Sequence, residues 1–134
     1  MIDKRELRIG NIILADYDVG EVLEVWQEQI RFRKLHPLSG FDDVEIIHLN
    51  NVHPVPLTPE LMEKCCNNKT TDGGYRIAIS EDRMQSLFIY KSLAGWVAEL
   101  FSFGTSKPLP ILHSLHQLQN LIYILSGNEL NVEI

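Results

Sequence analysis

The chain is poor in the features from which binding and catalytic sites are usually identified. Its two cysteines, Cys65 and Cys66, are neighbours, and adjacent cysteines rarely bridge each other because a disulfide needs a wider backbone separation. No apolar run approaches the roughly 20 residues of a membrane-spanning helix. The opening MIDKRELRIG is charged rather than hydrophobic, unlike a secretory signal. We therefore expect a cytoplasmic protein that does not associate with membranes.

Positive charge is also scarce. Twelve Lys and Arg stand against eighteen Asp and Glu, which gives a formal net charge of −6. This balance disfavours nucleic acid as a partner, because affinity for the phosphate backbone comes from lysine and arginine displacing counterions. Hydrophobic residues make up 45% of the 134 positions, a fraction typical of a folded globular domain.

The first part of the chain reads as a series of short strands with tight connections. In one of them Ile30 and Phe32 alternate with Arg31 and Arg33, so one strand face is buried and the other is wet. The predicted strands cover residues 7–14, 21–27, 29–35 and 44–49. This pattern is typical of a small antiparallel β-barrel of the SH3-like kind, and we predict such a unit over residues 1–57.

For the rest of the chain, residues 58–134, we predict an α+β unit that shares a core with the first unit. The alternative is that the whole chain forms one domain. Thr58 and Pro59 are the cap and first residue of a short helix. Three strands then form a β-meander, because their connections are brief, and the end of the chain alternates like an edge strand. These segments cover residues 75–80, 83–91, 95–103 and 129–134.

A second helix is predicted over residues 111–126, with Gly127 as its stop. One side carries an apolar stripe, which we expect to be buried: Ile111, Leu115, Leu118, Ile122 and Leu125. Another side carries a polar stripe: His113, His116, Asn120 and Tyr123. If the polar stripe is a functional site, it would bind a ligand, a protein partner or the edge of a nucleic-acid base. As structure, His116 and Asn120 would cap strand ends or a loop backbone, and we favour this interpretation because buried polar groups need partners.

The sequence gives little support for a metal site or for a catalytic nucleophile. His113 and His116 have a chelating spacing, but the chain lacks the C-x-x-C and H-E-x-x-H patterns of zinc sites. A Cys66–His116 nucleophile pair would place the cysteine at a helix C-terminus, where the helix dipole opposes a thiolate. We therefore predict no metal, no cofactor and no enzymatic activity.

A nucleic-acid interface is the main alternative to a protein interface. Arg31 and Arg33 share a strand face, and Trp26 lies near enough in sequence to stack on a base. The first 35 residues nevertheless hold six basic and seven acidic side chains. A contiguous positive face would favour nucleic acid, whereas an exposed aromatic patch would favour a protein partner.

The closing segment LHQLQNLIYILSGNEL resembles a family of small proteins encoded in phage, prophage and mobile-element regions of Bacteroides-type bacteria. The corresponding positions run from His116 to Leu121 and from Leu125 to Gly127, with Glu129 and Leu130. Leu7 to Asn11 and the run through Leu57, Thr58, Glu60 and Met62 resemble two further islands of the family. Cys65-Cys66 replaces its usual Gly-Phe, and Ser126 replaces a threonine.

The family has no assigned activity, so the resemblance implies a genomic setting rather than a mechanism. With the composition, it leads us to predict a non-enzymatic accessory module that binds a protein partner or self-associates. The end strand is a candidate for pairing with another subunit.

Overall fold

The computed structural model describes residues 2–35, 43–66, 68–80 and 84–132. The described residues contain two α-helices and two antiparallel five-stranded sheets, so the chain is α+β as predicted. Contacts divide the chain into two units. The first comprises Met1–Pro56 with Ser114–Asn120, and the second comprises Leu57–His113 with Leu121–Ile134.

The first unit is built on one antiparallel sheet with the strand order β4-β3-β2-β1-β5. The strands are β1 (Ile12–Ala15), β2 (Asp18–Val25), β3 (Gln29–Lys34), β4 (Val44–His48) and β5 (Val52–Pro54), with the 3-10 turns η1 (Lys4–Glu6) and η2 (Leu49–Asn51). Ile30 and Phe32 of β3 point into a hydrophobic cluster with Ile13, Val22 and Val52, which confirms the alternation predicted for β3. β1 begins five residues later than predicted, because Gly10 (φ 95°) and Asn11 form a turn.

This sheet is curled without being closed. Its edge strands β4 and β5 are separated in sequence only by η2. Three residues of 3-10 helix advance the chain about 6 Å, whereas the edges of five flat strands lie about 19 Å apart. The sheet must therefore curl, and the register shift between Val22 and Glu24 is the kind of bulge that bends a strand.

β4 and β5 are the edges of the described sheet, so the first unit contains a five-stranded antiparallel sheet rather than a closed barrel. A closed barrel needs a continuous ring of paired strands, and among the described residues β4 pairs with β3 and β5 pairs with β1. Membership of the SH3-like class stays a prediction.

The second unit contains the helix α1 (Pro59–Cys65) and a sheet with the order β10-β9-β8-β7-β6. The strands are β6 (Asn68–Lys69), β7 (Tyr75–Ser80), β8 (Gln85–Ser92), β9 (Gly95–Ser102) and β10 (Thr105–Pro108). The meander β7-β8-β9 is confirmed, and the short strands β6 and β10 were not predicted. Thr58 caps α1 by accepting a hydrogen bond from the Leu61 amide, and the Trp96 indole donates to the Leu57 carbonyl over 3.0 Å.

The helix α2 (Leu115–Ser126) begins four residues later than predicted. Leu112 instead pairs with Trp96 through two backbone hydrogen bonds of 2.8 and 2.9 Å, and Ile111 is exposed. Leu115, Leu118 and Ile122 are buried as the apolar stripe predicts. Gly127 ends the helix at φ +75°, with its amide donating to the Tyr123 carbonyl.

The predicted C-terminal edge strand is wrong for the residues that can be described. Residues 129–132 form no strand, and residues 133–134 lie outside the described part of the chain. Alternation of apolar and polar residues over so short a segment does not make a strand unless a neighbouring strand is available to pair with it.

Among the residues described, the structure contains no helix that is long and apolar enough to cross a membrane.

Truncating the helix stripe tests this placement. Leu118 is fully buried, and we expect Leu118→Ala to lower the free energy of unfolding by about 2–5 kcal/mol, as core leucine truncations do. Ile124 lies on the same helix but is 77% exposed, so Ile124→Ala serves as the control, with a change within about 0.5 kcal/mol. Urea titration measures both. Equal losses for the two variants would contradict the assigned helix phase.

Candidate functional site

Two amide side chains of α2 bind the N-terminal turn of the first unit. Gln119 is almost completely buried. Its Oε1 accepts from the Ile12 amide over 2.8 Å, and its Nε2 donates to the Gly10 carbonyl over 3.1 Å. One side chain thus serves both a donor and an acceptor of the backbone where β1 begins.

Asn120 continues this junction one residue further along the helix. Its Oδ1 accepts from the Asn11 side-chain amide (2.8 Å) and from Arg8 Nε (3.1 Å), and its Nδ2 donates to the Glu6 carbonyl (2.7 Å). Asn11 is fully buried, and its Oδ1 accepts from the Arg8 amide over 2.7 Å. We call Arg8, Asn11, Gln119 and Asn120 the amide junction.

His116 lies one helical turn before Asn120 and is 2% exposed. Its Nδ1 is 3.0 Å from Ser114 Oγ and its Nε2 is 3.3 Å from Glu6 Oε2. Burial lowers the pKa of His116, although the Glu6 carboxylate opposes the shift. The imidazole is therefore a neutral, buried link between the start of α2 and η1.

Serine, histidine and glutamate also make up hydrolytic triads, but this arrangement does not suit that chemistry. A nucleophilic serine must meet the substrate, and Ser114 is only 3% exposed whereas Glu6 is exposed. The serine also lies two residues before the histidine in the same chain turn. The geometry is that of a local structural link.

The structure divides the predicted polar stripe. His116 and Asn120 both bind the segment around residues 6–12. His113 and Tyr123 are exposed and belong to the second unit. Sequence reasoning missed Glu6, Asn11, Ser114 and Gln119 as partners, and the signal for Gln119 was an amide bordering an apolar stripe.

The candidate nucleic-acid face carries charges of alternating sign. Arg31 forms an ion pair with Glu24 over 2.8 Å, and Arg33 lies opposite Glu21 in the register of β2 and β3. Trp26 is 39% exposed in the turn between these strands. Acidic residues beside each arginine reduce the attraction for a phosphate backbone.

The adjacent cysteines are free thiols. Burial raises the pKa of Cys65 to about 11 and that of Cys66 to about 12, so both stay protonated at neutral pH. Protonated thiols are poor nucleophiles and poor metal ligands. Within the described part of the chain, no group of three or more His, Cys, Asp or Glu side chains is placed to hold a metal ion.

The solvent-facing side of the second sheet carries aromatic rings. Phe88 and Phe101 meet edge to face, with their ring centroids 4.7 Å apart, and both are half-buried. Tyr90 is 42% exposed and donates a hydrogen bond to Glu99 Oε1 over 3.0 Å. We call Phe88, Tyr90, Glu99 and Phe101 the aromatic face.

A depression of about 240 Å³ lies on this face, between the rings and the segment from Thr70 to Gly74. Small-molecule sites usually enclose about 300–1,000 Å³. The depression is therefore smaller than a usual small-molecule site and is large enough to admit one long side chain. Sequence reasoning did not single out Phe88, Tyr90 and Phe101. Alternation with the buried Leu87 and Ile89 of β8 places Phe88 and Tyr90 outside, and alternation with the buried Ala98 of β9 does the same for Phe101.

No protein-family model, curated protein or solved structure matches the chain. The resemblance to the phage and mobile-element family therefore stays a prediction.

Removing an amide of the junction tests its structural role. We expect Asn120→Ala to lower the free energy of unfolding by about 1–3 kcal/mol, because it leaves the buried Asn11 amide without its acceptor. Asn128→Ala, at an exposed position, is the control. Chemical denaturation measures both. An Asn120→Ala protein as stable as the wild type would show that the junction does not hold the fold.

The lowered pKa of His116 predicts a pH dependence of stability. Above about pH 6.5, the ordinary histidine pKa, His116 is neutral in both folded and unfolded chains. As the pH falls below that value, the unfolded chain takes up a proton that the folded chain resists, so stability declines by at most about 1.4 kcal/mol per pH unit. Denaturation of wild type and His116→Gln between about pH 7 and 5 measures the difference. Parallel curves would contradict the assignment.

Proposed function

We propose that the chain is a non-enzymatic protein-binding module of a phage, prophage or mobile element, acting in the cytoplasm. Its aromatic face takes a segment of the partner protein. The observation that carries the proposal is the Phe88–Phe101 ring pair on the solvent-facing side of an antiparallel sheet, beside a depression of about 240 Å³.

Such a face is unusual for a solvated sheet. The side of an antiparallel sheet that faces solvent normally carries polar residues. Aromatic residues, by contrast, are enriched at protein interfaces. Cross-strand register places Phe88 opposite Glu99 and Tyr90 opposite Val97. The four side chains of the aromatic face therefore lie on one side of the sheet, where Phe88 and Phe101 are in direct contact.

The electrostatics of the first sheet also support a protein partner over nucleic acid. Glu24 and Glu21 stand beside Arg31 and Arg33, and Lys34 Nζ lies 2.9 Å from Glu45 and 3.5 Å from Asp18. Binding nucleic acid there would require these ion pairs to be broken or rearranged.

The proposal includes an SH3-like class for the first sheet. Its support is the strong curl that the three-residue η2 imposes between the edge strands. An experimental structure of the full chain, compared with SH3-like barrels, tests this assignment.

Affinity capture from a lysate of the bacterium that carries the gene tests the proposed function. We expect the tagged protein to retain a partner after nuclease treatment, and Phe101→Ser to lose it because the ring pair is broken. Tyr17→Ser changes a fully exposed aromatic residue of the first unit and should keep the partner.

Circular dichroism and thermal melting establish that each variant folds, and Tyr90→Ala replaces Phe101→Ser if the latter melts early. A partner that both aromatic-face variants retain would refute the assigned face. A partner released by nuclease would move the function to nucleic acid.

A further inference from the structure

We infer that the depression on the aromatic face receives a basic side chain, a lysine or an arginine, from the bound segment. This inference rests on the proposed function, since it names the chemistry by which the same face recognises its partner. It follows from a carboxylate set among rings, from a second carboxylate at the rim and from the size of the depression.

Glu99 lies at the centre of the aromatic face. It is opposite Phe88 in the register of β8 and β9, and it is two residues from Phe101 on the same side of β9. Its Oε1 accepts from Tyr90 and its Oε2 lies 3.3 Å from the Ser106 hydroxyl. These two neutral donors orient the carboxylate without neutralising its charge, so it can still attract a cation.

The rings suit the rest of a basic side chain. Lysine and arginine have an apolar stem that lies along hydrophobic surface and a charged head that seeks polar partners. Aromatic faces attract such a head, with arginine the more frequent partner. Phe88 and Phe101, which meet at 62°, offer surface to the stem, and Glu99 lies within the same depression for the head.

A second carboxylate lies at the rim. Asp72 lines the depression and accepts a hydrogen bond from Thr70 Oγ1 over 2.6 Å. This bond lowers the pKa of Asp72, which keeps the side chain ionised. Together with the net charge of −6, it draws a cationic segment towards the sheet and repels an anionic one.

The same face also carries a positive charge, and removing it should have opposite effects on the binding of a basic and an acidic guest. Arg76 is exposed and lies opposite Phe88 in the register of β7 and β8. A basic guest is repelled by Arg76, so removing this charge should strengthen binding. An acidic guest would be bound by Arg76, and removing it should weaken binding.

Selection from a random peptide library identifies the guest without knowledge of the partner. The full chain is the target, and peptides that also bind Phe101→Ser are discarded. We expect the remaining peptides to be enriched in lysine and arginine and depleted in aspartate and glutamate. One selected peptide is then made with norleucine, which is neutral and has the stem of lysine, at each basic position in turn.

We expect one norleucine replacement to weaken binding to the wild type about tenfold, measured by calorimetry. Glu99→Gln should produce a similar loss for the lysine peptide and little change for the norleucine peptide. Arg76→Ala should bind the lysine peptide more tightly than wild type does. Glu60→Gln, which removes an exposed carboxylate from α1, is the control and should bind as wild type does.

The outcomes separate the two proposals. Peptides that depend on Phe101 but show no basic enrichment, or that bind Glu99→Gln normally, would overturn the basic guest and leave the protein-binding face in place. Weaker binding to Arg76→Ala would indicate an acidic guest and overturn the inference. If no peptide depends on Phe101, both the face and its guest are refuted.

Discussion

The first unit depends on the hydrogen bonds that Gln119 and Asn120 make with the turn before β1. Gly10 and Asn11 lie where the chain leaves a turn to enter a sheet, so their polar groups cannot all be satisfied by strand pairing. Asn11 is fully buried, and an unsatisfied amide there would cost about 1–3 kcal/mol. Two amides from a helix more than 100 residues away satisfy this turn and thereby fix where β1 begins.

Features of the fold that depend on local spacing can be predicted from the sequence, whereas long-range contacts such as the amide junction cannot. Periodicity predicts the buried stripe of α2 and the alternation of Ile30 and Phe32, because both depend on local spacing. It does not predict that Leu112 pairs with Trp96 and so delays the helix, because that pairing is long-range. Nor does it predict that Asn11 and Ile12 meet Asn120 and Gln119 at the amide junction, because these residues are more than 100 positions apart.

The outer faces of the two sheets differ in how their side chains are satisfied. On the first sheet, Arg31 has a carboxylate partner across the strands, so the face is close to electrically balanced. On the second sheet, rings occupy positions that alternation assigns to solvent, and Glu99 is held by neutral hydroxyl donors. The candidate site was missed because aromatic residues in a meander are usually core; their exposure follows from strand register, which composition does not reveal.

The order of synthesis gives the amide junction a further consequence. Ile12 leaves the ribosome long before Gln119. The Ile12 backbone amide therefore waits for the side chain that accepts its hydrogen bond. At about 5–20 residues per second, the interval is roughly 5–20 seconds. During that time the nascent N-terminal strands exist without the helix residues that complete their unit. A chain truncated before residue 119 would keep this incomplete state permanently, which makes premature termination costly even when every strand of the first sheet has been made.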